Sequence, residues 1–474
     1  MGIIKMESKE VAKDWFIEEK KYENYKFLYL GLAFFCVIAA YTFTRELKDS
    51  IFAYMVGREY IPYAKWMSML ILVPAILLYS QLVDTWRRYY LICFYSSFYA
   101  IMSIVFAYYL GHPTIGIANA TPSPNRLLGW LFYFFIEGFS PFVVSVFWAF
   151  ANSITNPESA KNRYGYMVSY SKAGGMFSAA LGWALLCWKS ADGQPVFTDI
   201  VGHQLILYIS AFFLSVIPFI VYLLIKKVPG RFLHGYEAVY QVEKKKSKES
   251  KPRVGIFDGL KMLFKYPYVM GIFGMVFFYE VITTVMSYLR LVVVQSHSTG
   301  ISGVSGELFK IIFLTHFVGF LVSYLGTTRL LKSLGEKRCL ILIPSVSGAL
   351  IFLFLATGYN VYALIVAYVG LKAINYGFSW PVRESLYIPT VKEIKFKSKS
   401  WIDAFGSKFA KSTGGMAIAS GIFDLGGVGL IGSVFHPMNF FFLAIVCFWG
   451  MTAYFLGNQY EKAVNENKVI GLED

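Results

Sequence analysis

Apolar runs long enough to cross a bilayer as helices alternate with shorter polar connections over almost the entire chain. They occupy residues 27–50, 61–83, 89–110, 127–154, 164–188, 204–226, 268–294, 308–327, 339–357, 361–381, 404–423 and 434–457. Each run is close to the roughly 20 residues that span a hydrocarbon core as a helix. The pattern predicts an all-α integral membrane protein with twelve transmembrane helices.

The first run interrupts itself in an informative place. Phe27 to Thr44 is continuously apolar or uncharged, and Arg45, Glu46, Lys48 and Asp49 follow before the chain turns apolar again. Arg45, Lys48, Asp49 and Phe52 recur at three- and four-residue spacing, so a helix continuing to Phe52 carries them as one stripe. Ionisable groups inside a membrane normally line a watery cavity or pathway. Position alone leaves a second option open, in which the helix stops at Thr44 and the charges sit among lipid headgroups.

The longest polar stretch, Lys226 to Tyr266, separates the sixth and seventh runs and holds Glu243-Lys-Lys-Lys-Ser-Lys-Glu-Ser-Lys-Pro, read as a solvated linker. The expected organisation is a cytoplasmic segment 1–26, a first six-helix half 27–226, a basic cytoplasmic linker 227–267, a second half 268–457 and a cytoplasmic tail 458–474. An internal echo relates the halves: Ser171-Lys172-Ala-Gly174-Gly175-Met176 in span 5 and Lys411-Ser412-Thr-Gly414-Gly415-Met416 in span 11. Glycine pairs also serve close helix packing in lipid. Two parallel six-helix repeats are the layout of major-facilitator-like transporters, whose substrate site lies near the midplane.

Composition sharpens the class. The 474 residues are 56% hydrophobic and 15% charged, with a mean hydropathy of +0.52, which is improbable for a soluble fold. The net charge of +15 does not point to nucleic acid, because of where the charge falls. The connections after spans 2, 4, 6, 8 and 10 hold roughly 23 Lys and Arg, and those after the odd-numbered spans roughly 3. Both termini are therefore expected in the cytoplasm. The first 25 residues lack a signal-peptide core and are not Arg-rich and acid-poor like a transit peptide, which favours a bacterial inner membrane. Cys36, Cys93, Cys187, Cys339 and Cys447 show no paired spacing, so no metal site or disulfide framework is implied.

Further charges lie deep in apolar runs: Glu137 in span 4, Lys172 in span 5, Glu280 and Arg290 in span 7, Lys372 in span 10, Lys408 and Lys411 in span 11, with Arg383 just beyond span 10. An ionised group at such depth costs about 3 kcal/mol on insertion scales unless paired or hydrated. Buried pairing is one reading for each of them singly. As a set the cations outnumber the two glutamates, and a cavity with surplus cations suits an anionic substrate held by charge-assisted bonds to phosphate oxygens. Glu137 and Glu280 are expected either to pair with these cations in the empty site or to carry a coupling proton. Asp49, Lys172, Arg290 and Lys372 are read as coupling or ion-pair residues. No glycine loop ending in Lys-Ser/Thr and no His-Glu-x-x-His pair competes as an enzyme constellation.

These residues resemble a known family, the ATP/ADP translocases of the nucleotide transporter type found in plastids and obligate intracellular bacteria. Tyr41-Thr-Phe-Thr-Arg-Glu-Leu-Lys-Asp-Ser is similar to the family's Tyr-x-x-x-Arg-x-x-Lys-Asp-Thr, with Ile61-Pro62 and Lys65-Trp66 following. Phe147-Trp-Ala-Phe-Ala-Asn-Ser-Ile-Thr155 and Glu158-Ser-Ala-Lys161 continue the match. In the second half Glu280-Val281, Arg383-Glu384-Ser-Leu-Tyr-Ile-Pro389 and Lys411-Ser-Thr-Gly-Gly415 resemble family landmarks. By motif position the resemblance assigns transport roles to Lys48, Glu137, Glu280 and Lys411; matching Glu137 needs a one-residue gap before Phe147. The chain departs from the family where Ile-Thr-Thr follows Val281 in place of Trp-Lys-Ser, where Arg383 replaces lysine, and where Lys172 replaces asparagine.

The resemblance implies a nucleotide antiporter, foremost for ATP against ADP, that works by alternating access. The alternative is a proton-driven importer of another nucleotide, NAD or an organic anion. Lys48 and Lys411, helped by Arg45 and Arg383, are expected to bind phosphates, and Asn152 to contact base or ribose or to pack as a helix amide. No cofactor is implied, nucleic acid is not an expected partner, and a monomer in a lipid bilayer is expected. Lys48 in particular is expected to face Lys411 and Glu280 across a central cavity, off the outer perimeter of the bundle.

Overall fold

The computed structural model describes residues 2–155, 157–233, 258–323, 328–391, 394, 398–423, 436–466 and 469–471. The middle of the expected basic linker, including the Glu243 run, lies outside the described residues. Long helices dominate, and among the described residues the β pairings are two isolated bridges, Lys189 with Pro195 and Thr390 with Ile470. Nine helices among the described residues are long and apolar enough to cross a membrane.

In chain order the helices are α1 (Gly2–Met55), α2 (Ile61–Thr85), α3 (Arg88–Leu110), α4 (Leu127–Phe139), α5 (Ser145–Ser153), α6 (Pro157–Cys187) and α7 (Asp199–Lys227). They continue with α8 (Asp258–Lys265), α9 (Pro267–His297), α10 (Gly300–Val322), α11 (Thr328–Ala356), α12 (Val361–Ile374), α13 (Trp380–Ser385), α14 (Ser407–Ala419) and α15 (Pro437–Asn465). Every predicted apolar run contains helix. The nine qualifying stretches exclude α2, α6 and α14; α14 has only 13 residues.

Several boundaries differ from expectation for visible reasons. The first helix does not stop at Thr44; α1 runs through the charged stripe to Met55. Its residues there are inside protein, with Leu47, Ile51 and Phe52 fully buried, so the backbone gains nothing by fraying toward headgroups. The eighth span starts at Gly300, earlier than its apolar run, because Ile301, Val304 and Ser305 are buried and tertiary packing overrides a Gly- and Ser-rich sequence. Near the start of α11, Gly335 (φ 73°) joins two helical pieces across a kink, a left-handed conformation that glycine tolerates.

The chain forms two compact units. The first holds Met1–Leu47, Ala75–Ala118 and Phe135–Pro252; the second holds Lys48–Pro74, Asn119–Phe134 and Arg253–Asp474. In the first unit, Leu30, Val37 and Ala40 of α1 share a core with Leu91 and Tyr99 of α3, Phe147 and Phe150 of α5, and Leu214 and Val221 of α7. Polar groups are satisfied across it: Ser210 Oγ donates to the Ala40 carbonyl at 3.3 Å and Gln204 Nε2 to that of Ala107 at 2.8 Å. A Cβ on Gly174 of α6 would lie 2.5 Å from the Phe35 carbonyl, so only glycine lets α6 approach α1 this closely.

In the second unit, α9 packs on α14 and α15, α10 on α12, and α11 on α12 and α15. Small residues again set the spacing. A Cβ on Gly377 would meet the Gly319 carbonyl at 2.9 Å, and one on Gly414 would meet Thr284 at 3.0 Å and the Val281 carbonyl at 3.1 Å. The end of α1 and the first part of α2 belong to this unit: Ser305 Oγ donates to Ser50 Oγ at 2.7 Å, and Ser412 Oγ donates to the Lys65 carbonyl at 3.3 Å. Large apolar side chains such as Phe212, Phe352, Phe440 and Leu443 remain exposed, as lipid-facing positions require.

Candidate functional site

Within the second unit, α9 and α14 bring the two most specific sequence candidates together. Lys411 Nζ lies 3.9 Å from Glu280 Oε2, and Ser407 Oγ donates to Glu280 Oε1 at 3.1 Å. Ser407 and Lys411 are four residues apart on α14 and therefore share a face. The glycine notch is one turn beyond the pair: Gly414 follows Lys411 by three residues, and Thr284, which it abuts, follows Glu280 by four. Close packing of the helices is thus what sets the separation of the charges. The glycine has a packing role and the ion pair depends on it. The carboxylate side chain is 18% exposed and the Lys411 side chain 37%, so protein covers the pair only in part.

Lys48 occupies a different environment. It is 7% exposed, its Nζ sits 4.5 Å from the centre of the Tyr133 ring, and Asp49 Oδ1 is 3.4 Å away. Phe52, one turn on, packs on the same ring at 4.9 Å. These contacts place Lys48 within protein. The α1 stripe is helical, and its cation rests on an aromatic face, an arrangement worth about 2 kcal/mol when desolvated.

A second cation in this unit has the same setting. Arg290 of α9 is 2% exposed, with Cζ 4.4 Å from the centre of the Tyr368 ring. Lys372, 7% exposed, has Nζ 5.7 Å from the ring of Tyr279. Arg383 lies over Trp380 at 5.4 Å and is half-buried; Lys408 is half-buried on α14. Beside them, Lys399 Nζ bonds Glu384 Oε2 at 2.6 Å in the segment that follows α13.

In the first unit, Arg45 Nε is 3.8 Å from Glu46 Oε1, and its guanidinium lies 5.8 Å from the Tyr41 ring. Glu137 is half-buried on α4, three residues ahead of a π-helical turn, Ser140–Val144. Lys172 is half-buried on α6, and Asn152 is exposed near the end of α5, so a buried packing amide is not its role here. Of the Glu158 to Lys161 motif only the helical backbone is described.

Two features were not anticipated. Tyr133 and Tyr368 each carry a cation, although each stands four residues before an already selected charge, Glu137 and Lys372 respectively. The signal Tyr-x-x-x-charge, repeated in spans 4 and 10, was available in the sequence. The second feature is a π turn three residues after each charge, at Ser140–Val144 and Asn375–Ser379. Such turns recur at functional sites, and apart from Pro141 nothing in composition marks them.

Residues 5–293 and 305–460 match the TLC ATP/ADP transporter family. The chain is 24% identical to ADP,ATP carrier protein 1 of Rickettsia conorii, covering 96% of each, and 23% identical to the chloroplastic ADP,ATP carrier protein 2 of Arabidopsis thaliana, covering 94% of this chain and 76% of that one. Among solved structures it is similar to a D-xylose-proton symporter (TM-score 0.64, 12% identity, 92% and 97% covered) and to a bacterial homologue of the lysosomal transporter Spinster (TM-score 0.57, 14% identity, 95% and 99% covered). These structural likenesses show a shared fold. With the match running nearly end to end, the chain belongs to the TLC ATP/ADP transporter family.

Proposed function

We propose that this protein exchanges ATP for ADP across a membrane by alternating access of two six-helix halves. The observation that carries the reading is the Glu280–Lys411 pair with Ser407, a partly exposed ion pair on packed helices within a chain of this family. An anionic phosphate competes with Glu280 for the Lys411 ammonium, so nucleotide binding releases the carboxylate and exchanges one ion pair for another. That is the behaviour an exchanger needs: each occupant replaces the previous one at similar electrostatic cost.

Lys48 and Arg383 of the same unit supply further positive charge for the polyphosphate, and Arg45, Glu137 and Asn152 remain candidates by motif position. Twelve transmembrane helices with both termini cytoplasmic, in a bacterial inner membrane and as a monomer, complete the proposal. The charge asymmetry of the connections supports the cytoplasmic placement of both termini.

The test is uptake of labelled ATP into proteoliposomes containing the purified protein. Loading the lumen with ADP should raise the initial rate at least tenfold over empty vesicles, and a protonophore should leave it within twofold. Uptake that ignores internal nucleotide and collapses with the proton gradient would instead identify a proton-driven importer.

A further inference from the structure

The two buried cations over tyrosine rings are counterparts. Lys48 lies on the first helix of the first sequence half and Arg290 on the first helix of the second, each about two turns before its helix ends, at Met55 and His297. Their rings, Tyr133 and Tyr368, come from the fourth span of each half. Each tyrosine is followed four residues later by a charge, Glu137 or Lys372, and then by a π turn. The distances agree, 4.5 Å and 4.4 Å. The glycine contacts repeat in the same sense: Gly174 of the fifth span abuts Phe35 of the first, and Gly414 of the eleventh abuts Val281 of the seventh. One local design has been kept twice, with lysine in one copy and arginine in the other.

Arg290 is itself only 2% exposed, and a guanidinium at such a position carries a burial cost that a leucine or methionine would not. An arginine retained there is suited to planar, two-pronged contact with phosphoryl oxygens, which the ammonium of Lys48 makes only as a point charge.

We propose that Arg290 is a phosphate-binding residue of the substrate site, resting on Tyr368 when the site is empty and engaging the distal phosphoryl oxygens of a nucleoside di- or triphosphate when it is filled. This rests on the reading of the chain as a nucleotide carrier and adds the group that reads phosphate number. Lys48 and Lys411 then supply general attraction to the anion, and Arg290 discriminates.

The experiment measures dissociation constants for ATP, ADP and AMP with the full-length protein in detergent, by calorimetry. Arg290→Gln should weaken ATP and ADP at least tenfold and AMP less than twofold, collapsing the preference for longer phosphate chains. Arg290→Lys, which keeps the buried charge if the Gln variant does not fold, should weaken ATP at least threefold with AMP unchanged. If either folded variant binds the three nucleotides with the wild-type ratios, the assignment is overturned while nucleotide carriage stands. Wild-type protein that binds none of the three overturns both.

Discussion

The second unit holds charge in two contrasting ways. Glu280 and Lys411 form an open pair, partly exposed and 3.9 Å apart, whereas Lys48 and Arg290 are buried against tyrosine rings. An ion pair in high dielectric is cheap to make and cheap to exchange for a competing anion. A cation on a dry ring is held by a softer, shorter-ranged attraction, and removing it leaves a hole as well as a missing charge. The contrast teaches that the open pair is suited to exchange of partners and the buried cations to a fixed position, so substitutions in the two places should fail differently.

The largest effect should come from Lys48→Ala. Losing the charge from the ring of Tyr133 should lower the initial rate of nucleotide exchange in proteoliposomes by about a hundredfold at equal protein load, since the lost contact counts fully in an occluded site. A rate near that of the wild type would make the cation structural and break the comparison. Gly414→Leu should come next. Its side chain cannot fit against Thr284 and the Val281 carbonyl, so α14 must move from α9, carrying Lys411 away from Glu280. Exchange should drop some tenfold or more, with a fall of several degrees in the midpoint of thermal unfolding in detergent. Ser407→Ala should be mildest. A hydrogen bond to a charged group is worth about 1.5–3 kcal/mol, and a partly exposed one falls at the low end, so a rate loss near tenfold with unchanged unfolding would sharpen the distinction between the open pair and its scaffold.

How much of this was readable beforehand depends on the physics each feature uses. The spans follow from hydropathy, because lipid forces backbone groups to pair within each segment, and helices occupy every predicted run. The start of α10 at Gly300 was not readable, since burial of Ile301 and Ser305 against neighbours outweighs a poor local propensity. Lys48, Glu280, Lys372 and Lys411 stand out by the cost of burying charge, a local property of the sequence. Their partners do not: Tyr133, Tyr368 and Ser407 are ordinary residues whose meaning depends on which helices adjoin. The π turns at Ser140–Val144 and Asn375–Ser379 shift helical register by one residue, which leaves no trace in a hydropathy pattern. The Gly174 and Gly414 echo was visible, and its value as a helix-spacing device needed the carbonyls of Phe35 and Val281 opposite.

The unbroken course of α1 to Met55 also bears on how the protein is made. Synthesis reaches α1, with Arg45, Glu46, Lys48 and Asp49 near its C-terminal end, before the ring that will receive Lys48, which follows about 85 residues later. During that interval the charges of the segment lack that ring, and burying them in lipid is costly. Final seating of the helix then waits on the arrival of α4. Assembly of this carrier is therefore a return of the first helix to partners made after it, and a chain that stalls before Tyr133 leaves its own entry segment unfinished.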